Sequence, residues 1–187
     1  MDAAPDIERI AEHLSAARQP AGSALPPASP GVYAIFAAPG VTLPLASMRP
    51  EQPLYVGMTE SSLEIREHFR RKSSGFSTIR RSLGALLRGE LGLSAIPRAP
   101  GPSKTNATNF SFAEDGESRL SDWMQRSLTW SFVATTAAPA TIEAALIARL
   151  RPPLNLRGWP NPERKRLMEL RRICRDEAAS VQRYASR

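Results

Sequence analysis

Two short β-prone runs, set apart by a proline-studded stretch, constrain this 187-residue chain more than any other feature. From Gly31 to Ala38, Tyr33, Ile35 and Ala37 alternate with Val32, Ala34 and Phe36, the period-two pattern of a strand with two faces. Pro39-Gly40 ends that run. A second run covers Leu54 to Met58. Between them, Pro39, Pro44, Pro50 and Pro53 exclude a regular element, so the sequence predicts a long, irregular hairpin connection. Such a hairpin sets Tyr33 and Tyr55, two of the three tyrosines, on one sheet. Two ordinary core strands would carry the same pair, because aromatic residues favour strands.

Helical spacing fills most of the remainder. Ile7, Ile10, Ala11 and Leu14 mark a helix over residues 5–18, with Pro5 in its first turn and His13 off the stripe. Residues 19–30 hold four prolines and read as a linker. Ser61 and Glu64 match a capping box, which predicts a helix to about Lys72 with Ile65 and Phe69 buried. Ile79, Leu83, Leu86, Leu87 and Leu91 form the stripe of a helix over residues 77–91. Residues 92–109, with Pro97, Pro100, Gly101 and Pro102, read as an exposed loop. Phe110 and Phe112 suggest a short strand, residues 117–127 a helix, and Trp130, Phe132 and Ala134 a further strand. A helix over 141–150 stops at Pro152-Pro153. Asn161-Pro162 opens a last basic amphipathic helix that reaches about Tyr184.

Composition limits the class of protein. A hydrophobic content of 42% and a charged content of 23% describe an ordinary globular chain. No apolar run reaches the length of a membrane span, and the acidic start does not resemble a secretion signal. The single cysteine, Cys174, rules out an internal disulfide and any cysteine-based metal cluster. It sits on a helix stripe, as a small apolar side chain would. These features point to the cytoplasm. The net charge of +7 suits a polyanionic partner without specifying one.

One acidic residue stands out. Leu146, Ile147 and Leu150 follow Glu143 at i+3, i+4 and i+7, so its carboxylate falls on an apolar stripe. An ionised group there is costly without a partner. A structural ion pair answers that need. So does a hard divalent cation, which takes one or two carboxylates together with waters and substrate phosphate.

Gly31-Val32-Tyr33 followed by Tyr55-Val56-Gly57 resembles the signature of the GIY-YIG nuclease superfamily. The resemblance continues through Arg66, Glu143 and Asn155, in that order, the last within Pro152-Pro153-Leu154-Asn155, and covers residues 31–157. It implies an α/β fold: a small, mainly antiparallel sheet of three strands or slightly more, flanked by helices, with extra N- and C-terminal helices. It also implies Mg (or Mn)-dependent endonucleolytic hydrolysis of DNA, with RNA not excluded. Glu143 would hold the metal and Arg66 would stabilise charge on the phosphate. Tyr33 or Tyr55 would position or deprotonate the attacking water, Asn155 would orient the group, and Gly31 and Gly57 would permit close packing. Arg70, Arg71, Lys72, Arg80 and Arg81 would follow the nucleic-acid backbone. Some members of the superfamily carry a histidine a helical turn after the arginine. His68 follows Arg66 by only two residues and should point elsewhere.

The expected organisation is an N-terminal helix and linker (1–30), a nuclease-like domain (31–157) with an insertion around 92–135, and a C-terminal helix (158–187). Two other readings stay open: a non-catalytic nucleic-acid-binding module on the same fold, and an interaction protein that docks through its C-terminal helix. Oligomeric state and substrate specificity are not legible.

Overall fold

The computed structural model describes residues 6–23, 25–66, 68–69, 73–101, 103–135 and 137–185. In chain order these form α1 (Ile7–Ala16), β1 (Gln19–Pro20), β2 (Gly31–Ala37) and β3 (Tyr55–Thr59), then 3-10 turns at Glu64–Arg66 and Ser74–Phe76. There follow α2 (Thr78–Leu86), α3 (Arg88–Leu91), β4 (Ala95–Ile96), α4 (Lys104–Thr108), β5 (Ser111–Phe112) and α5 (Glu114–Ser127). β6 (Leu128–Ala134), α6 (Pro139–Leu150) and α7 (Arg164–Ala185) complete the chain. The architecture is α/β, with a four-stranded antiparallel sheet.

Two compact units divide these elements, residues 1–67 with 125–163 and residues 68–124 with 164–187. The first holds the sheet, in the order β1-β6-β2-β3. Val32, Ala34, Phe36 and Val56 form one of its faces and pack against Ala11 and Leu14 of α1 and Ile142, Leu146 and Ile147 of α6. Asp6 caps α1 by accepting a hydrogen bond from the Arg9 N–H (3.1 Å). The Ser131 hydroxyl donates to the Leu14 carbonyl (2.6 Å), tying β6 to α1. The segment expected to be a linker supplies β1, which pairs with β6 through Gln19 and Pro20.

The second unit gathers residues 68–124 around α7, which packs against α2, β4 and α4. Leu167, Cys174 and Ala178 form the buried side of α7. Burial holds the Cys174 thiol neutral, with its pKa raised to about 11. The stretch expected to be an exposed loop, 92–109, contributes β4 and α4 instead. Leu93, Ala95 and Ala107 are buried there, so a few well-spaced apolar residues anchor a segment that its prolines suggested was loose. The C-terminal helix thus shares a unit with residues 92–124 of the segment expected as an insertion, while β6, at the end of that segment, belongs to the other unit.

The helix expected from Ser61 to Lys72 is a single 3-10 turn, Glu64–Arg66, among the described residues. The capping box does not form. The Ser61 N–H donates instead to the Thr59 hydroxyl (3.2 Å), and the Leu63 N–H donates to the Ser29 carbonyl (2.8 Å). Leu63 and Phe69 are fully buried, whereas Ile65 is 55% exposed. The chain is fastened at Leu63 before a helix can start.

Candidate active site

β2 and β3 pair with Tyr33 opposite Gly57 and Ile35 opposite Tyr55. This register puts both tyrosines on the face opposite the one that α1 and α6 cover. Their ring centroids lie 6.3 Å apart, with the planes tilted by 38°. A Cβ at Gly57 would collide with Cζ and the hydroxyl of Tyr33 and lie 2.9 Å from Cε1 of Tyr55. The glycine is therefore the seat on which the Tyr33 ring rests. A Cβ at Gly31 would strike the Val133 carbonyl and come within 2.8 Å of Cδ1 of Leu63. That glycine lets β6 and the segment leading to Arg66 close on the start of β2.

Asn155 is buried and braces β3 from the side. Its Oδ1 accepts from the Val56 N–H and its Nδ2 donates to the Val56 carbonyl, both at 2.8 Å. The Leu154 N–H donates to the Leu54 carbonyl (2.9 Å), and Asn161 Nδ2 donates to the carbonyls of Pro153 and Asn155 (2.8 Å each). The Pro152–Asn155 turn thus continues the sheet with side-chain amides. Asn155 holds the residue between Tyr55 and Gly57, which makes it a positioning residue.

Glu143 lies in α6 beside the apolar stripe formed by Ile142, Leu146 and Ile147, and is half-buried. Burial pushes its carboxyl above the ordinary value, and the positive charge of Arg66 pulls it partly back. No ion pair within 4.0 Å joins the two among the described residues. Arg66 is itself half-buried, and its Nε is buried without a hydrogen-bond partner among the described residues. The site therefore offers a carboxylate in need of a cation and a guanidinium in need of an acceptor.

The donor set bears on the metal that the sequence resemblance implies. Among the described residues no three or more of His, Cys, Asp and Glu cluster as a ligand group. One desolvated carboxylate does fit a hard cation such as Mg²⁺, which keeps several waters and takes the rest of its ligands from substrate phosphate. Glu143 is the residue that would hold it.

Other expected site residues have different surroundings. Arg80 is fully buried in the second unit and Arg81 nearly so. Arg80 pairs with Glu117 (2.7 Å), and its guanidinium also donates to the His68 carbonyl (2.9 Å). Arg81 donates to the Gly75 carbonyl (2.6 Å). Neither is at the surface, so the expectation that they follow a nucleic-acid backbone is corrected. Arg70, Arg71 and Lys72 lie outside the described residues. His68 is buried in the second unit, with Nδ1 2.9 Å from the hydroxyl of Ser77, the residue that caps α2. It braces that cap.

Sequence reasoning missed Glu117. It precedes Leu120 and Met124 by three and seven residues, the same acid-on-a-stripe spacing that marked Glu143.

A family model described as the GIY-YIG catalytic domain matches residues 31–173. The chain belongs to the GIY-YIG family. No curated protein and no solved structure is matched by the chain. The GIY-YIG domain is a nuclease-type fold. In this member Tyr33, Tyr55, Arg66, Glu143 and Asn155 all belong to the first unit. No described helix is long and apolar enough to cross a membrane.

Proposed function

We propose that this GIY-YIG protein is a cytoplasmic, divalent-metal-dependent endonuclease that hydrolyses DNA phosphodiester bonds. The observation that carries this reading is the complementary pair formed by Glu143 and Arg66. Burial makes the isolated carboxylate costly, and the buried Arg66 Nε lacks an acceptor. A phosphodiester with its accompanying cation would satisfy both groups at once.

In this reading Glu143 holds the magnesium or manganese ion. When bound, that ion supplies Lewis-acid polarisation of the scissile phosphate and neutralises the leaving oxygen. Arg66 donates to the phosphoryl oxygens and stabilises the charge that builds on them. Tyr33 and Tyr55 sit side by side, where a phenol can orient water by accepting or donating a hydrogen bond. A free phenol has a pKa near 10, so the positive charge of Arg66 would have to favour the phenolate for either tyrosine to act as a base. Asn155 acts through Val56, holding Tyr55 and Gly57 in register. Gly57 keeps the seat for Tyr33 open.

The test is nicking of supercoiled plasmid with Mg²⁺, run beside Glu143→Ala and an EDTA control. The expected result is metal-dependent nicking that is lost in Glu143→Ala while DNA binding remains. Nicking that survives Glu143→Ala would end this assignment. Salt-sensitive binding without nicking by either protein, on branched as well as plasmid DNA, would favour the non-catalytic binding module.

A further inference from the structure

The net positive charge is concentrated in one part of the chain. Seventeen of the 25 Lys and Arg residues, but only eight of the 18 Asp and Glu, fall in residues 68–124 and 164–187. That unit carries +9 and the unit with the five site residues −2. A polyanion is therefore drawn to the second unit.

That unit displays one aromatic side chain in an unusual way. Phe76 is 67% exposed at the end of the 3-10 turn Ser74–Phe76, and that turn is fixed on all sides. The N–H and hydroxyl of Ser74 both donate to Glu117 (2.7 and 2.9 Å). The Gly75 N–H donates to the hydroxyls of Ser73 (3.3 Å) and Ser111 (3.1 Å), and the Gly75 carbonyl accepts from Arg81. The buried Arg80–Glu117 pair locks Glu117 in turn. Two buried arginines and a buried glutamate thus hold a turn whose tip is a largely exposed phenyl ring.

The ring is not alone. The guanidinium carbon of Arg98 lies 4.9 Å from its centroid, a cation–π arrangement. Gly75 makes this possible, because a Cβ there would come within 2.5 Å of the Arg98 Cβ. The Arg98 backbone is fixed by donation to the Asn106 carbonyl (3.0 Å). Arg98 thus covers one face of a ring that is still 67% exposed. A rigid aromatic side chain backed by a cation on one face and open to solvent otherwise, on the basic unit, matches what a nucleobase and its phosphate require. An acidic protein surface would use the charge but leave the ring without a flat π partner.

We infer that Phe76 and Arg98 form a stacking site for an unpaired nucleobase, which makes the protein prefer single-stranded or branched DNA over continuous duplex. Phe76 stacks on the base and Arg98 holds the adjoining phosphate. The interior of a duplex offers no free base face, so this site adds little to its binding. The inference rests on the nucleic-acid reading given above and deepens it.

The test is binding of the full chain to a forked oligonucleotide carrying 2-aminopurine in its single-stranded arm, beside a blunt duplex of the same length. The wild type should prefer the fork and quench the 2-aminopurine on binding. Phe76→Ala should lose about 5- to 100-fold in affinity for the fork, together with the quench, and change little on the duplex. Phe76→Trp should restore both. Arg98→Gln should weaken fork binding more than duplex binding. Unchanged fork affinity in Phe76→Ala, or an equal loss on fork and duplex, would overturn the stacking site. A wild type that binds neither DNA would overturn the nucleic-acid reading itself.

Discussion

At Gly57 the missing side chain is what lets the Tyr33 ring lie against β3. Gly57→Ala should cost about 1–3 kcal/mol, because the ring must leave its rotamer or the strand must shift. The same substitution in a Tyr33→Ala background should cost far less. Denaturant melts of the four proteins in this cycle check it, and equal costs in both backgrounds would show that the ring does not need the seat. Glu143 makes a second residue-scale prediction. Burial favours its neutral carboxyl, so the folded chain keeps that proton to higher pH than the unfolded chain does. The penalty for ionising it is absent below the ordinary value of 4.5 and present in full above the raised one. In EDTA, Glu143→Gln should therefore melt higher than the wild type near neutral pH, and the two should converge as pH falls through the carboxyl range. A constant difference across that range would refute the burial account.

Among the elements, one spacing turns out to carry two meanings. Glu117 on α5 and Glu143 on α6 both head an apolar stripe, yet Glu117 is met by Arg80 at 2.7 Å and Glu143 has no such partner among the described residues. Helical periodicity places a carboxylate against the core. What faces it depends on an element distant in sequence, and periodicity is blind to that. The strands were legible because alternation is local: β2, β3 and β6 lie where the aromatic and β-branched residues alternate. The helix expected after Ser61 was not legible, because the Leu63 N–H finds the carbonyl of Ser29, more than thirty residues earlier. Likewise, Leu93, Ala95 and Ala107 are too few to outweigh the surrounding prolines until α7 packs on them. The buried pair is itself testable. Glu117→Ala leaves the Arg80 guanidinium buried without its counter-ion and should cost about 3–5 kcal/mol in urea melts, whereas replacing both residues with apolar ones of similar size should recover much of it. Arg80→Ala should likewise cost stability and not the DNA affinity of the folded fraction. Lost affinity at unchanged stability would return Arg80 to the binding surface.

Over the whole molecule, chemistry and charge are assigned to different parts of the chain. The unit that holds the five site residues is slightly acidic, and the unit completed by α7 is strongly basic. DNA binding should accordingly weaken with salt. For roughly four phosphate contacts, affinity should fall about a hundredfold between about 50 and 200 mM NaCl, read as the slope of log Kd against log salt concentration. A flat slope would mean that the basic unit does not meet the backbone. The sheet has a consequence of its own. β3 and β1 are its outer strands, and an uncovered outer strand is a template on which a second chain can add itself. β1 is only two residues long and ends in Pro20, which has no N–H to offer. On the other side, the Asn155 amide occupies both the N–H and the carbonyl of Val56, and Leu154 takes the carbonyl of Leu54. The residue that keeps the tyrosine strand in register thus also takes up the outward-facing backbone groups of Val56, so a strand adding itself at β3 would first have to displace the Asn155 amide.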